Sequence, residues 1–107
     1  MVKQITVEEL KSKMDSDVGL CLVDCREADE HEYCKIDGAK LIPLSEFQER
    51  GPKELNPDEE IFIHCHHGGR SQKACEFLES QGFKSTHNVT GGIEAWSLQI
   101  DSKVKRY

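Results

Sequence analysis

The chain has 107 residues and a mass of 12.2 kDa, which suits one domain of ordinary size and is too little for two. Charged residues make up 32 % of the sequence and the net charge is -6, so the composition fits an acidic soluble domain and argues against nucleic acid as a partner. No apolar stretch approaches the ~20 residues that a membrane-spanning helix needs, and residues 1–10 lack the apolar core of a secretory signal.

Strand and helix signals alternate along the first half of the chain. Residues 6–9 have the form of a capping box, Thr-x-x-Glu, which predicts a helix from residue 7 to about residue 14. Residues 20–24 form an apolar run that ends in aspartate, which is typical of a strand buried on both faces. Residues 40–44 predict a shorter strand ended by proline. Ser45 is then expected to cap a brief helix that continues to about residue 49.

The second half of the chain continues this alternation. Residues 51–60 contain two prolines and many charges and are predicted to be a loop, and residues 60–64 form a second strand of the buried type. Residues 71–81 have an apolar face at helical spacing, and residues 86–89 and 92–98 predict a last strand and a last helix. The alternation predicts an α/β fold with a parallel sheet covered on both faces. Such a sheet places its site just beyond the carboxyl ends of its strands.

Five cysteines are many for so short a chain, and their odd number forbids complete internal pairing. Because no export signal is seen, we expect reduced thiols in a cytosol-like compartment. Cys21 and Cys75 fall in predicted apolar segments and are expected to pack in the core, whereas Cys25 and Cys34 fall in predicted loops. The remaining cysteine, Cys65, has neighbours that indicate chemistry.

Residues 64–71, with the sequence HCHHGGRS, lie in the favoured place between a buried strand and a helix. Gly68 and Gly69 allow backbone angles closed to other residues, so the loop can curl until its amides point inward, beside the positive end of the following helix. A thiolate at Cys65 is favoured in such a nest, where cysteine pKa values run from ~3.5 to ~7.5 against ~8.5 unperturbed. Arg70 adds a permanent charge and a planar fork suited to an oxyanion. The pattern predicts a nucleophilic cysteine that faces an anionic substrate.

Four segments, in this order and spacing, resemble the rhodanese family of sulfurtransferases. They are residues 22–27 (a strand ending in Asp-x-Arg), residues 36–44 (Ile-x-Gly-Ala and a following proline), the loop of residues 65–71, and residues 91–96 (Gly-Gly-x-x-Ala-Trp). The likeness extends from about residue 6 to residue 96. Lys35 stands where many members have histidine, and we interpret it as a surface change.

The resemblance implies one rhodanese-like domain over residues 1–107, with a core of about residues 6–98 and a C-terminal tail of residues 99–107. It implies a mostly parallel five-stranded sheet with helices on both faces. The implied activity is sulfur transfer through a persulfide, in which Cys65 takes the outer sulfur of thiosulfate or a related persulfide donor. The sulfur then passes to cyanide, a thiol or a sulfur-carrier protein in a double-displacement scheme, and no cofactor is expected.

The resemblance also implies roles for the loop residues. The amides of residues 66–70, which include Gly68 and Gly69, would hold the sulfur anion, and Arg70 would bind the donor's oxyanion. His66 and His67 would line the mouth of the loop and tune the choice of donor or acceptor, or are merely solvated. Ser71 would cap the helix or donate a hydrogen bond to the persulfide.

Two further expectations concern charges and metals. Asp24 and Arg26 are expected to form an ion pair that holds neighbouring loops rather than to contact substrate. We expect no metal at Cys65 and the adjacent histidines, because neighbouring residues in a tight loop cannot all converge on one ion.

Three other functions stay open. The first is a phosphatase or arsenate reductase that uses the same thiolate, although the six-residue Cys-x-x-x-x-Arg loop is one residue shorter than in those related enzymes. The second is a redox sensor in which Cys65 pairs with Cys25 or Cys34. The third is a non-catalytic docking module, which the presence of both cysteine and arginine disfavours. We expect a cytoplasmic monomer or weak homodimer that binds neither nucleic acid nor membrane.

Overall fold

The computed structural model describes residues 1–17 and 19–107, and within these residues five strands form one parallel sheet. The strands are β1 (Lys3–Ile5), β2 (Cys21–Asp24), β3 (Lys40–Leu41), β4 (Glu60–His64) and β5 (Ser85–Val89). Their order across the sheet is β1-β5-β4-β2-β3, so β4 is the central strand. The predicted α/β fold with a five-stranded parallel sheet is confirmed.

Helices connect the strands and cover both faces of the sheet. They are α1 (Val7–Ser16), α2 (Ala28–Tyr33), α3 (Phe47–Glu54), α4 (Gly69–Ser80) and α5 (Gly92–Gln99), with a 3-10 turn at Leu44–Glu46 before α3. Apolar residues of α3 and α4 pack on one face, and those of α1 and α5 pack on the other. In the part of the chain that the structure describes, no helix has the length and apolar character needed to cross a membrane.

Strand β4 is buried on both faces because its residues alternate between two apolar clusters. Ile61 and Ile63 belong to the cluster that contains Phe47 of α3 and several residues of α4. Phe62 belongs to the opposite cluster, which contains Trp96 of α5 and several residues of α1. Burying each such side chain stabilises the fold by roughly 1.5–3 kcal/mol. The end of β4 is therefore firmly positioned, and the loop that follows starts from a rigid point.

The carboxyl ends of β2 and β4 lie side by side. The two strands pair in register with Asp24 opposite His64. The ladder continues by one step beyond both strands, since the amide of Cys25 donates to the carbonyl of His64 at 3.0 Å. Cys25 and Cys65 are thus neighbours at the same edge of the sheet, and both belong to the same apolar cluster.

The capping box at residues 6–9 forms as predicted. The Thr6 hydroxyl accepts from the Glu9 amide at 3.1 Å, and the Glu9 carboxylate accepts from the Thr6 amide at 2.9 Å. Ser45, in contrast, does not cap a helix: it lies within the 3-10 turn, Glu46 is the N-cap residue of α3, and the exposed Ser45 hydroxyl donates to Glu27 at 2.9 Å.

Three elements differ from the sequence predictions. Strand β1 and helix α2 were not predicted, because β1 has three residues and α2 buries no side chain that would create an apolar period. Residues 51–54 were predicted as a loop but belong to α3. The helix forms there despite Pro52 because Phe47, Gly51 and Leu55 recur at a spacing of four and are all buried against the core.

Candidate active site

The loop after β4 wraps around the sulfur of Cys65. The Gly68 amide donates to Sγ at 3.1 Å, and the Ser71 hydroxyl lies 3.4 Å from the same atom. Gly68 has a φ of 124°, a backbone conformation that side chains rarely adopt, so the turn that aims its amide at the sulfur favours glycine. Cys65 is only 1 % exposed, so the loop also shields this sulfur from bulk water.

Helix α5 holds the carbonyl groups of the loop and keeps them away from the sulfur. The Ile93 amide donates to the Cys65 carbonyl at 3.0 Å, and the Glu94 amide donates to the His66 carbonyl at 3.2 Å. This approach is close enough that a Cβ atom on Gly92 would lie 2.4 Å from the His66 oxygen and 2.5 Å from the Cys65 oxygen. Because α5 binds these carbonyl groups, the amide groups on the opposite side of the loop can donate to Cys65 Sγ. The Gly-Gly-x-x-Ala-Trp segment is therefore a support of the cysteine loop.

Hydrogen bonds make Cys65 strongly acidic. The neighbouring Cys25 thiol has the largest effect on Cys65, and together with the Ser71 hydroxyl and the Ser71 and Gly68 amides it outweighs the effect of burial and lowers the pKa of Cys65 to about 4. The same contact, with burial and the nearby charges, raises the pKa of Cys25 well above its usual range. At neutral pH the pair is a thiolate at Cys65 beside a thiol at Cys25. A thiolate is the nucleophilic form of cysteine.

A polar network lies behind Ser71. Its hydroxyl also contacts the Gly68 carbonyl at 3.2 Å and the amide oxygen of Asn88 in β5. The Asn88 amide nitrogen donates in turn to Gln4 of β1 at 3.0 Å. The single proton of the Ser71 hydroxyl therefore has three possible acceptors, in Cys65, Gly68 and Asn88. The orientation of this hydroxyl depends on strands β5 and β1, which are far from it in the sequence. Sequence reasoning missed Asn88, because an asparagine in a short strand carries no signal for a second layer around a loop.

Arg70 does not stand free at the mouth of the loop. Its two terminal nitrogens donate to the two carboxylate oxygens of Glu30 in α2, at 2.8 and 2.9 Å. The Tyr107 hydroxyl donates to the same carboxylate at 2.9 Å. The hydrogen bonds from Arg70 are the largest cause of a low pKa at Glu30, and burial acts in the opposite direction. The pKa of Glu30 is lowered to about 2, so this carboxylate stays ionised. Neither Glu30 nor Tyr107 was singled out from the sequence.

The two histidines of the loop stack at its mouth. The ring centroids of His66 and His67 are 4.0 Å apart, and the Tyr107 ring also stacks on His66, at 4.0 Å. Burial, followed by the neighbouring His67, lowers the pKa of His66, so its ring is neutral near pH 7. His67 is exposed. In residues 1–17 and 19–107, no three His, Cys, Asp or Glu side chains are grouped as ligands for a metal ion.

Asp24 and Arg26 form a buried ion pair below α2. The Arg26 guanidinium donates to the Asp24 carboxylate at 2.7 and 2.9 Å, and both side chains are fully buried. Burial disfavours the charge on Asp24, but Arg26 and His64 hold its pKa below the ordinary value. Arg26 also donates to the carbonyls of Glu30 at 3.3 Å and Cys34 at 2.6 Å. The pair thus fixes the short helix that carries Glu30.

The cysteines are all free in the described residues. Cys25 is completely buried next to Cys65, rather than lying in an open loop as its sequence position suggested. Cys34 is also buried, but it belongs to the apolar cluster on the opposite face of the sheet from Cys65. Cys75 packs in the core, where burial raises its pKa to about 12. Of the two cysteines that the sequence offered as partners, Cys25 lies beside Cys65 and Cys34 does not.

Similar proteins include several whose names refer to sulfur transfer. The chain is 44 % identical to rhodanese-like/PpiC domain-containing protein 12, chloroplastic, of Arabidopsis thaliana, a match that covers 99 % of this chain and 38 % of that protein. It is 42 % identical to the putative sulfur carrier protein YrkF of Bacillus subtilis, over 90 % of this chain and 51 % of that protein. It is 38 % identical to the putative sulfurtransferase YtwF of the same organism, over 95 % of this chain and 97 % of that protein. The chain thus spans about half or less of the first two relatives and nearly all of the third.

Solved structures and family patterns agree with this similarity. The rhodanese-like domain protein of Staphylococcus aureus superposes with a TM-score of 0.83 at 34 % identity, and the match covers 98 % of both chains. A sequence model described as a rhodanese-like domain matches residues 6–99. The match takes in the cysteine loop, the strand end with Asp24 and the supporting turn of α5. On these grounds the chain belongs to the family of rhodanese-like domains.

Proposed function

We propose that this chain is a sulfurtransferase that carries a sulfur atom on Cys65 as a persulfide. The observation that supports it best is the pair of donors at Cys65 Sγ, the Gly68 amide at 3.1 Å and the Ser71 hydroxyl at 3.4 Å, beside the buried Cys25 thiol. These donors stabilise a sulfur anion before any substrate arrives. Relatives named for sulfur transfer and sulfur carriage agree with this chemistry.

In the first half-reaction the Cys65 thiolate attacks the outer sulfur of the donor. A bond forms between Cys65 Sγ and that sulfur, and the donor's S–S bond breaks. With thiosulfate, the bonding electron pair leaves with sulfite, and Cys65 keeps the outer sulfur as an anionic persulfide. No base is required, because the pKa of Cys65 is lowered to about 4 and the thiolate is already formed at neutral pH.

In the second half-reaction an acceptor attacks the outer sulfur of the persulfide. Cyanide would leave as thiocyanate, and a thiolate acceptor would leave as a new persulfide. Cys65 departs as a thiolate, and its low pKa makes it a good leaving group, since thiols of lower pKa leave faster. The same donors therefore assist both steps. A sulfur-carrier protein that offers a thiolate would accept the sulfur in the same way as a small thiol.

The other loop residues have supporting roles in this proposal. Gly68, Gly69 and Ser71 shape the nest around the sulfur, and His66 and His67 form the mouth through which substrates pass. Cys65 is 1 % exposed, so a donor must move side chains at that mouth before it reaches the sulfur. The same closure shields the persulfide from water and from unselected thiols. Thiols that stay reduced fit a cytosol-like compartment.

The phosphatase alternative has less support. A phosphate ester in this loop would need a free guanidinium, and both terminal nitrogens of Arg70 are bound to Glu30. The redox alternative has one specific observation in its favour, because Cys25 and Cys65 are adjacent and in register. A disulfide between them under peroxide would support that second role. Cys34 is not a partner for it, since it packs on the opposite face of the sheet.

The proposal is tested by intact mass before and after treatment with thiosulfate. We expect the wild-type chain to gain one sulfur atom and to lose it on addition of cyanide, with release of thiocyanate. Cys65→Ser should gain none. Cys21→Ser is the matched control, because Cys21 is a partly exposed thiol outside the loop, and it should gain sulfur like the wild type.

Two results would overturn the proposal. One is a sulfur gain in Cys65→Ser that cyanide removes, which would place the sulfur on another thiol. The other is hydrolysis of a phosphate ester by a wild-type chain that takes no sulfur from thiosulfate or from a small persulfide.

A further inference from the structure

Four hydrogen bonds hold the Glu30 carboxylate beside the cysteine loop. One oxygen accepts from the Glu27 amide at 2.9 Å and from Arg70 at 2.8 Å. The other accepts from Arg70 and from the Tyr107 hydroxyl, both at 2.9 Å. Its helix is anchored from below by Arg26, which donates to the Glu30 carbonyl. The carboxylate is therefore fixed opposite Arg70 rather than swinging freely in solvent.

This arrangement changes what Arg70 can offer to a substrate. Arg70 is the loop's only cation in residues 64–71 apart from its histidines, and the Glu30 charge cancels it. Both terminal nitrogens of Arg70 are already used in a two-pronged ion pair, the geometry by which arginine also binds sulfonate or phosphate. A donor with an oxyanion group must therefore displace a carboxylate that two other groups, the Glu27 amide and the Tyr107 hydroxyl, also hold in place. The overall charge of -6 adds no attraction at longer range.

The rest of the mouth is aromatic. The Tyr107 ring stacks on His66 at an interplanar angle of 8°, and it meets the Tyr33 ring edge-to-face at 6.0 Å. Tyr33 is 51 % exposed and Tyr107 is 45 % exposed. Flat, weakly polar faces of this kind suit a polarisable, uncharged group next to the transferred sulfur. They offer little to a compact dianion that needs strong hydrogen-bond donors.

We propose that Glu30 sets the donor selectivity of this site, so that it favours persulfides of the form R–S–SH over thiosulfate and other donors with a sulfonate-like group. The inference rests on the proposed sulfurtransferase function. In the favoured step the Cys65 thiolate attacks the outer sulfur, the R–S to S bond breaks, and R–S⁻ leaves with the electron pair. The proton of R–S–SH stays on the transferred sulfur or passes to the leaving thiolate. No sulfonate has to be bound, so Arg70 can remain paired.

The test compares two sulfur donors, thiosulfate and hydroxyethyl persulfide, with cyanide as the common acceptor. Glu30→Gln removes the charge but keeps the side-chain length and an acceptor for the Glu27 amide. We expect it to raise kcat/KM for thiosulfate about tenfold, the factor supplied by one charge-assisted interaction of ordinary strength. For hydroxyethyl persulfide, kcat/KM should change by less than about twofold, since that donor gains no charged contact. Tyr107→Phe, which removes one donor to Glu30, should raise the thiosulfate value by a smaller factor.

Asp29→Asn is the matched control. Asp29 is the exposed neighbour of Glu30 on α2, so the substitution removes the same charge without releasing Arg70. It should leave the ratio of the two kcat/KM values unchanged. A thiosulfate gain in Asp29→Asn equal to that in Glu30→Gln would overturn the inference, because general repulsion would then explain it. Equal changes with both donors in Glu30→Gln would also overturn it.

The outcome separates this inference from the function on which it rests. If the wild type takes sulfur from both donors and Glu30→Gln leaves their ratio unchanged, only the role of Glu30 is wrong. If the wild type and Glu30→Gln both take no sulfur on Cys65 from either donor, the sulfurtransferase proposal itself is wrong. The melting temperature of each variant checks that the compared proteins are equally folded.

Discussion

Cys25 and Cys65 occupy matching positions in the sheet and yet have opposite acid–base properties. Each follows the last residue of a parallel strand, the two strands are neighbours in register, and both cysteines are almost completely buried. The pKa of Cys65 is lowered to about 4, whereas that of Cys25 is raised. Burial and position at the edge of the sheet are shared, so neither accounts for the difference.

The difference comes from the chain that follows each cysteine. After Cys65, glycine turns the backbone so that the Gly68 amide faces the sulfur, and α4 begins at once. After Cys25, the next side chain is Arg26, whose guanidinium turns away to the Asp24 carboxylate. Cys25 therefore remains a thiol and serves as a donor to its neighbour. The end of a strand thus provides the place for a nucleophile, and the loop that follows determines whether it is charged.

The largest effect is expected from breaking the support of the Cys65 loop. Gly92→Ala places a Cβ atom within 2.6 Å of three backbone atoms of Cys65 and His66, at a residue with a φ of 56°. We expect the free energy of unfolding to fall by about 3 kcal/mol, because backbone atoms cannot yield as a flexible side chain would. The loop should also loosen, so the pKa of Cys65 should move up towards that of an ordinary cysteine. Urea unfolding and the pH dependence of alkylation measure the two effects.

Gly69→Ala is the control for this substitution. A Cβ atom at Gly69 meets nothing within 4 Å, and the residue is the first of α4. We expect unchanged or slightly greater stability, since alanine restricts the unfolded chain more than glycine does. Equal losses of unfolding free energy in Gly69→Ala and Gly92→Ala would show that the close approach at Gly92 does not hold the loop.

A second prediction separates the two cysteines directly. Cys25→Ala removes the donor that contributes most to the low pKa of Cys65. A hydrogen bond to a charged group contributes about 1.5–3 kcal/mol, so the pKa of Cys65 should rise by about one to two units. The thiolate is the reactive form above its pKa, so the inflection of alkylation rate against pH should move to higher pH. Alkylation should slow most at mildly acidic pH and change little above neutrality.

Two variants sharpen this measurement. Cys25→Ser keeps a donor at the same position and should retain most of the low pKa. Cys75→Ala removes another buried cysteine of the same apolar cluster and should leave the profile in place. If the pKa of Cys65 rises as much in Cys75→Ala as in Cys25→Ala, the cause is core packing and not the Cys25 thiol.

The smallest effect is expected from Ser71→Ala. The hydroxyl is 3.4 Å from Cys65 Sγ and has two other acceptors, so it supplies only part of its hydrogen bond to the sulfur. The pKa of Cys65 should rise by less than about one unit. Ser80→Ala, at the far end of α4, is the control and should give the wild-type alkylation profile. A rise in Ser71→Ala larger than in Cys25→Ala would reverse the order of the two donors.

Much of this architecture is readable from the sequence, because its cause is local. The apolar run of residues 60–64 predicts a central strand, and the glycines that follow predict a curled loop before a helix. The order of four motifs, ending with residues 91–96, indicates the family and with it the strand count. What the motif could not reveal is why the final glycines are needed, since the carbonyls that they approach belong to a distant loop.

The ion pair that Arg70 forms with Glu30 could not be predicted from these patterns. Its partner Glu30 lies 40 positions away, on a helix of six residues that buries no side chain and shows no apolar period. That helix is held by a buried arginine, Arg26, rather than by hydrophobic packing. Tyr107 likewise lies in a tail without regular structure. Polar contacts between remote segments leave no periodic mark in a sequence.

The grip of α5 on the loop carbonyls has a consequence for how the protein is made. The Ile93 and Glu94 amides are synthesised after the cysteine that they help to activate. A chain that ends before α5 lacks the two amides that bind the carbonyls of Cys65 and His66. We therefore expect the cysteine loop to reach its final shape only after α5 has been synthesised and has folded onto it.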